Sequence, residues 1–385
     1  MARKSRSRAN RLRPSGGGIA VILLVGAVAL GFFVFTQAAH GSNGADPAPS
    51  KPNGQPLTNA ATSEQWTVAQ GLPTNVMRLT FSASDPNLGY ASVFVNKQQQ
   101  HIYKTTDRGD SWNQVGVAQG PVSDILATDP TDPQDVVSLS VYAPTPGTYA
   151  FQRSLDGGKT WANVTTNLPT TGEVSQTGWS GSTFLVGFQL DGQLQGSSAV
   201  VAFPKNQASV HLDVNGKING ASIPHLTLLT GRRGKIEVWG DDGSSPAKTI
   251  YGAATSNQGQ SWSALPTTIH GKKAIPLAAF DDGGAIVAQA TDASEITLSN
   301  DDGATWATQP AFPGQGGWES NHGVFVTSQG KTLVVTENDG TYTLANGAWK
   351  KATSKPVIAA SDGGAKHAAR LWALDAQGHV IWTDD

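Results

Sequence analysis

Two hydrophobic patterns divide the chain. Residues 19–35 read IAVILLVGAVALGFFVF, seventeen apolar or small residues with no charge and no proline. As a helix rising ~1.5 Å per residue the run spans about 25 Å, near the lower limit for crossing a hydrocarbon core. Beyond residue 64 the pattern changes. Apolar runs become short, alternate with polar residues and stop at Gly, Asp or Asn, as in GAIVAQAT at 284–291 and KTLVVTE at 331–337. That is the pattern of short strands with one or both faces buried. The composition agrees: 44 Gly and 11 Trp but only 2 Met in 385 residues argue for an all-β fold over a helical bundle.

The strand region is built from a repeat. Four segments share the form [ST]-x-[DN]-x-G-x-[ST]-W. They begin at Thr105, Ser154, Thr255 and Ser299, and their fixed central residues are Asp107, Gly109 and Trp112; Asp156, Gly158 and Trp161; Asn257, Gly259 and Trp262; Asp301, Gly303 and Trp306. A short Asp or Asn side chain bonds nearby backbone N–H groups and holds a turn. Gly supplies the positive φ such a turn needs. The Ser or Thr hydroxyl closes the turn, and the Trp starts the outgoing strand with a large ring to bury. Each segment offers one or two carboxylates, not the six or more oxygens calcium takes, so no metal and no cofactor is predicted.

These segments resemble the Asp-box, or BNR repeat, of sialidases, sortilin-type receptors, some endo-xyloglucanases and the photosystem II assembly factors. The resemblance implies a β-propeller. The box tryptophans fall at 112, 161, 262 and 306, and Trp66 and Trp349 extend the series at both ends. The step from 161 to 262 holds one eroded repeat, with residues 209–216 in place of its outer strand. The period, about 43–51 residues, suits a four-stranded blade. Seven blades are expected, with six as the alternative if 174–222 is irregular. Residues 356–385 supply three strands and the segment around Trp66 supplies one, so the N-terminal strand is expected to complete the last blade and close the ring.

Charge changes the picture at the N-terminus. Residues 1–18 carry six bases and no acid. Of 27 bases and 29 acids in all, the remainder keeps 21 and 29, a net −8. Lys and Arg before an apolar run stay on the cytoplasmic side. We therefore expect a cytoplasmic tail at 1–18, a transmembrane signal-anchor at 19–36, a flexible Pro/Gly/Ser/Asn-rich linker at 37–63 and an Asp-box propeller at 64–385 outside the membrane. Thr36-Gln37-Ala38 leaves open secretion after cleavage. No nucleic-acid role is expected. The chain has no cysteine, which excludes disulfides, thiolate sites and a Cys nucleophile. Oligomeric state is not legible.

In a propeller, function sits on one face near the channel. The positions beginning innermost strands include Asn75, Arg78, Asp124, Gln176, His225 and the run Trp318-Glu319-Ser320-Asn321-His322. Sialidase-like chemistry, as the resemblance implies it, needs three arginines around a sugar carboxylate. Beyond residue 18 there are six: Arg78, Arg108, Arg153, Arg232, Arg233 and Arg370. Arg108 and Arg153 belong to box hairpins. The family's Arg-Ile-Pro motif is absent; Met77-Arg78-Leu79-Thr80 stands nearest to it. A two-carboxylate glycosidase would use Asp124 and Glu319, the one acid pair at such positions on different blades. No catalytic set is assigned beyond these candidates. Trp318, Glu319, Asn321, His322 and His225 are the candidate ligand contacts, with Trp318 available to stack on a sugar or anchor a peptide. The preferred reading is a binding or scaffold module for a polypeptide or glycan partner outside the membrane, with a sialidase-like or two-carboxylate glycosidase as the alternative.

Overall fold

Short runs of β-branched and aromatic residues, punctuated by Gly and Asx turns, fold into strands joined almost entirely by hairpins. The computed structural model describes residues 64–385 except 97, 121–124, 141–149, 165–172, 190–197, 208, 213–224, 233, 242–248, 267, 270–271, 280–285, 291–295, 302, 311, 314–322, 327–331, 338–339, 365 and 368. The expected tail, anchor and linker at 1–63 lie outside the described residues.

In chain order the strands are β1 (Thr67–Val68); β2 (Val76–Phe81), β3 (Gly89–Asn96), β4 (Gln99–Thr105) and β5 (Asn113–Gln119); β6 (Ile125–Thr128), β7 (Val136–Ser140), β8 (Ala150–Ser154) and β9 (Ala162–Asn163); β10 (Glu173–Ser180), β11 (Thr183–Gln189), β12 (Ser198–Phe203) and β13 (Val210–Leu212). They continue with β14 (His225–Arg232), β15 (Lys235–Asp241), β16 (Ile250–Thr255) and β17 (Ser263–Ala264); β18 (Thr268–Ile269), β19 (Lys272–Ala279), β20 (Ile286–Ala290), β21 (Ile296–Ser299) and β22 (Ala307–Thr308); β23 (Gly323–Val326), β24 (Leu333–Glu337), β25 (Gly340–Ala345) and β26 (Ala348–Thr353); β27 (Ala359–Asp362), β28 (Ala369–Leu374) and β29 (Val380–Asp384).

Strands β2–β5, β6–β9, β10–β13, β14–β17 and β23–β26 form four-stranded antiparallel sheets in sequential order, and β18–β22 form a five-stranded one. The last group, β27-β28-β29, takes β1 as its fourth strand, with Thr67 opposite Trp382 and Val68 opposite Ile381. The arrangement is that of a β-propeller: all-β, mostly four-stranded antiparallel sheets, and no helix among the described residues. The eroded repeat still forms a complete sheet, β10–β13.

Blades stack through apolar faces. Leu88, Tyr90 and Ile102 pack on Leu126 and Val136 of the next sheet. Phe151 meets Phe184 and Phe203. Leu185 and Val200 meet Leu226 and Val238. Across the chain ends, Val76, Leu79 and Trp112 pack on Trp372 and Val380. Burial of these side chains is the main favourable term in the fold.

Ion pairs fasten two of these junctions. Arg153, at the end of β8, donates Nε and Nη2 to the fully buried Asp135 at 2.7 Å each. It also donates to the carbonyls of Phe203 and Ser182 in the following sheet. Lys205 stands in the β12–β13 turn, where other blades carry a box, and reaches Asp132 at 2.8 Å and Asp135 at 3.4 Å. At the chain-end junction Arg370 donates to Asp384 at 2.8 and 3.1 Å and to Asp110 at 2.6 Å, and lies 3.6 Å over the Trp382 ring. Ahead of β1, Glu64 accepts from the Ser354 N–H and the Thr353 hydroxyl, seating the incoming chain on the neighbouring blade.

Candidate functional site

The antiparallel order sorts the loops into two faces. Starts of innermost strands share a face with turns between second and third strands; we call it the top face. The boxes join third to fourth strands on the opposite side.

The box face is fully explained by structure. In the first box Asp107 accepts from the Ser111 N–H and from the Ser111 and Thr105 hydroxyls, while the Gly109 N–H donates to Thr105 Oγ1 at 2.8 Å. The same bonds recur around Asp156 and Asp301, and Asn257 takes the role in the third box. Gly109, Gly158, Gly259 and Gly303 have φ of 84°, 84°, 81° and 83°, the left-handed values the motif requires. Burial alone would raise the Asp156 pKa. Hydrogen bonds from Thr160, Ser154 and the Lys159 N–H outweigh it and hold the group at about 2. Trp112 and Trp306 are buried, and Trp161 and Trp262 half-buried. These bonds make each box a self-contained turn. Among the described residues no three His, Asp or Glu side chains are grouped to hold a metal.

The described arginines do not gather on the top face. Arg153 and Arg370 are bound to the carboxylates named above, and Arg108 Nη2 lies 3.6 Å from Asp384. All three stand at the box side. Arg78, on β2, donates Nη1 to the neighbouring Met77 carbonyl at 3.0 Å. A cluster of three guanidiniums from these described arginines is therefore not assembled.

Of the sequence-predicted candidates, Asp124, Trp318, Glu319, Asn321 and His322 lie outside the described residues. His225 is the first residue of β14, paired in register with Asp241, and its Nδ1 is 3.2 Å from Asp241 Oδ1. With the proton on Nδ1 the ring donates to Asp241 and keeps Nε2 as an acceptor.

The structure adds a feature the sequence did not disclose. Four innermost strands carry a bulge at the same point near the top face: Met77 in β2, Ser175 in β10, Thr227 in β14 and Leu277 in β19 have no partner in the ladder. Bulges turn a side chain off its sheet and recur beside functional sites. The side chains of Ser175 and Thr227 are 7% and 9% exposed, and their hydroxyls have no hydrogen-bond partner. Gln176, next to Ser175, is 1% exposed. It donates Nε2 to the Leu226 carbonyl at 3.4 Å, and its Oε1 has no partner. Leaving such a group unpaired costs about 1–3 kcal/mol. Strands β10 and β14 are pressed together here: a Cβ on Gly178 would stand 2.0 Å from the Leu229 carbonyl oxygen. Gln176 on β10 thus meets the backbone of the adjacent sheet at Leu226, and His225 meets Asp241 within its own.

No protein-family model matches the chain. A xyloglucanase from Paenibacillus sp. is 29% identical over 333 residues, 77% of this chain, yet the chain spans only 27% of that protein. Among solved structures, YCF48 bound to D1 peptide superposes with a TM-score of 0.51 at 11% identity, covering 86% of this chain and 97% of that one. YCF48 from Cyanidioschyzon merolae gives a TM-score of 0.51 at 14% identity, covering 83% and 98%. At such identities the likeness is one of fold.

Proposed function

The chain is an Asp-box β-propeller, and on that premise we propose that it is a membrane-anchored, extracytoplasmic module of seven blades that binds a polypeptide through its top face. The observation that carries the binding reading is the chemistry of that face. Near that face the described innermost strands carry the Gln176 amide, the Ser175 and Thr227 hydroxyls, the His225–Asp241 pair and a single guanidinium, Arg78, while the described arginines of the box hairpins are committed to ion pairs. Neutral hydrogen-bonding groups suit a peptide backbone or side chain. YCF48, a propeller of similar extent, has been captured with a peptide, which supports the reading at the level of fold. The run at 19–36 behind a basic tail supports anchoring, and the linker at 37–63 gives the propeller reach while keeping its partner search near the membrane. Seven sheets in series, with β1 completing the last, support the blade number.

The similarity to a xyloglucanase favours one second reading, a two-carboxylate glycosidase using Asp124 and Glu319. The full-length chain, incubated with xyloglucan, is expected to release no new reducing ends. Release that disappears in both Asp124→Asn and Glu319→Gln would overturn the binding reading.

A further inference from the structure

We infer that the outer strand of the β23–β26 sheet is a docking strip for the anionic lipid surface of the membrane that holds the chain. The inference deepens the anchoring part of the function proposed above and rests on it for the lipid.

Charge gives the first argument. Beyond residue 18 the chain is net −8, yet residues 340–361 hold Lys350, Lys351 and Lys355 and no acid. Lys350 and Lys351 stand on β26, Lys355 lies just past its end, and all three are exposed. β26 is the outermost strand of its sheet and so lies at the rim. Lysines on an edge strand also discourage pairing with another chain. That role alone does not account for them. Of the described outer strands only β5 and β26 run beyond three residues, and β5, NQVGVAQ, carries no charge. A long outer strand is therefore tolerated in this ring without lysines.

Position supplies the partner. Glu64, which follows the linker, is seated on the end of β26. Its carboxylate accepts from the Ser354 N–H at 2.6 Å and from the Thr353 hydroxyl at 2.9 Å. The linker therefore joins the propeller beside Lys355. A flexible linker of that length spans roughly 30 Å, at about 5–6 Å times the square root of its residue count. The tether thus holds the β26 rim close to the bilayer. Glu64 offsets one charge of the three, and the strip remains positive. Each basic residue at an anionic surface strengthens binding about fivefold.

The test uses the full-length chain in vesicles of phosphatidylcholine, alone or mixed with phosphatidylglycerol. The chain has no cysteine, so one fluorophore can be placed at Ala348→Cys on β26 or at Gln260→Cys in the β16–β17 box, two sheets away, both exposed. Energy transfer to a headgroup acceptor is the readout. We expect transfer from Ala348→Cys to rise in the anionic vesicles and to fall back in about 1 M salt, where the screening length is about 3 Å. Transfer from Gln260→Cys should stay unchanged. Lys355→Gln should lower the ratio of docked to free propeller about fivefold, and Lys350→Gln, Lys351→Gln and Lys355→Gln together on the order of a hundredfold. Lys351 lies over the Tyr342 ring at 5.4 Å. Should the triple variant fail to fold, Lys350→Gln with Lys355→Gln serves instead. Equal transfer in neutral and anionic vesicles, a rise at both labels, or wild-type docking by the variants would overturn the inference and leave the lysines as edge guards. Capture of soluble polyglutamate in place of the vesicles would overturn it in favour of an acidic polypeptide. The two readings fail separately. Release of the chain by alkaline carbonate would sink the anchor, whatever the labels show. Lysine-independent transfer from a carbonate-resistant chain would sink the strip alone.

Discussion

Replacing Arg370 should loosen the ring where the chain ends meet. Arg370 is 4% exposed, and its guanidinium makes four hydrogen bonds: two to Asp384, one to Asp110 and one to the Arg108 carbonyl. It also stacks on Trp382. Arg370→Met keeps the apolar stem and removes the charge. Breaking a buried ion pair from one side costs about 3–5 kcal/mol. Here water can reach part of what is left, since the side chains of Asp384 and Asp110 are 21% and 56% exposed. Arg108 also remains near Asp384. The lower end, about 3 kcal/mol, is therefore expected. The loss is local, because Asp110 and Arg108 belong to the first blade and Asp384 and Trp382 to the last. Hydrogen exchange on the full-length chain reads it directly. Amides of β1 and β29 should exchange roughly a hundredfold faster, the equivalent of about 3 kcal/mol, while β14 and β15 keep their wild-type rates. Arg370→Lys, which keeps the charge and loses the fork, should fall between. Unchanged exchange at β1 and β29, or an equal rise around the whole ring, would refute the closure argument.

Asp135→Asn should destabilise by about 3 kcal/mol in denaturant unfolding, because it leaves Arg153 buried with its bidentate partner neutralised; a change under about 0.5 kcal/mol would mean Lys205 and Asp132 already satisfy the site. Gly116→Ala places a Cβ 2.0 Å from the Gly158 carbonyl oxygen of the next blade's box, so a loss of about 2 kcal/mol is expected, and a thermal melt equal to wild type would contradict that close approach. Acid should weaken the fold in a defined window. Glu64, Asp107, Asp132, Asp156 and Asp301 all titrate below their ordinary values in the native state. The unfolded chain then binds protons first, so their contribution is complete above about pH 5 and is lost as pH falls from about 4 towards 2. Denaturant midpoints flat down to pH 2 would contradict it.

The boxes were legible because their chemistry is local. Asp107 and its partners lie within seven residues, so spacing alone identifies the turn. The terminal closure was legible for a similar reason, since three strands at one end and one at the other leave a single economical pairing. The arginine latches were not legible. Arg370 and Asp110 are 260 residues apart, and no local pattern joins them. Arg153 and Lys205 replace by charge what the third blade lacks as a box, a substitution visible only once β8 and β12 are placed side by side. The bulges at Ser175 and Thr227 depend on register with β11 and β15, so those residues read as ordinary strand positions. Gln176 and His225 were singled out in the sequence by their places near the starts of innermost strands, while their partners, the Leu226 carbonyl and Asp241, came from the fold.

The proposed function stands on polypeptide binding at the top face. Photocrosslinking in cells tests it most directly, with a photoreactive residue placed at Gln98 or Gln377 on the top face, or at Lys159 or Gln260 on the box face, all four being exposed. A discrete, protease-sensitive adduct is expected from Gln98 or Gln377, and none from Lys159 or Gln260. Adducts confined to the box face, or top-face adducts that resist protease and yield to glycosidases, would contradict it.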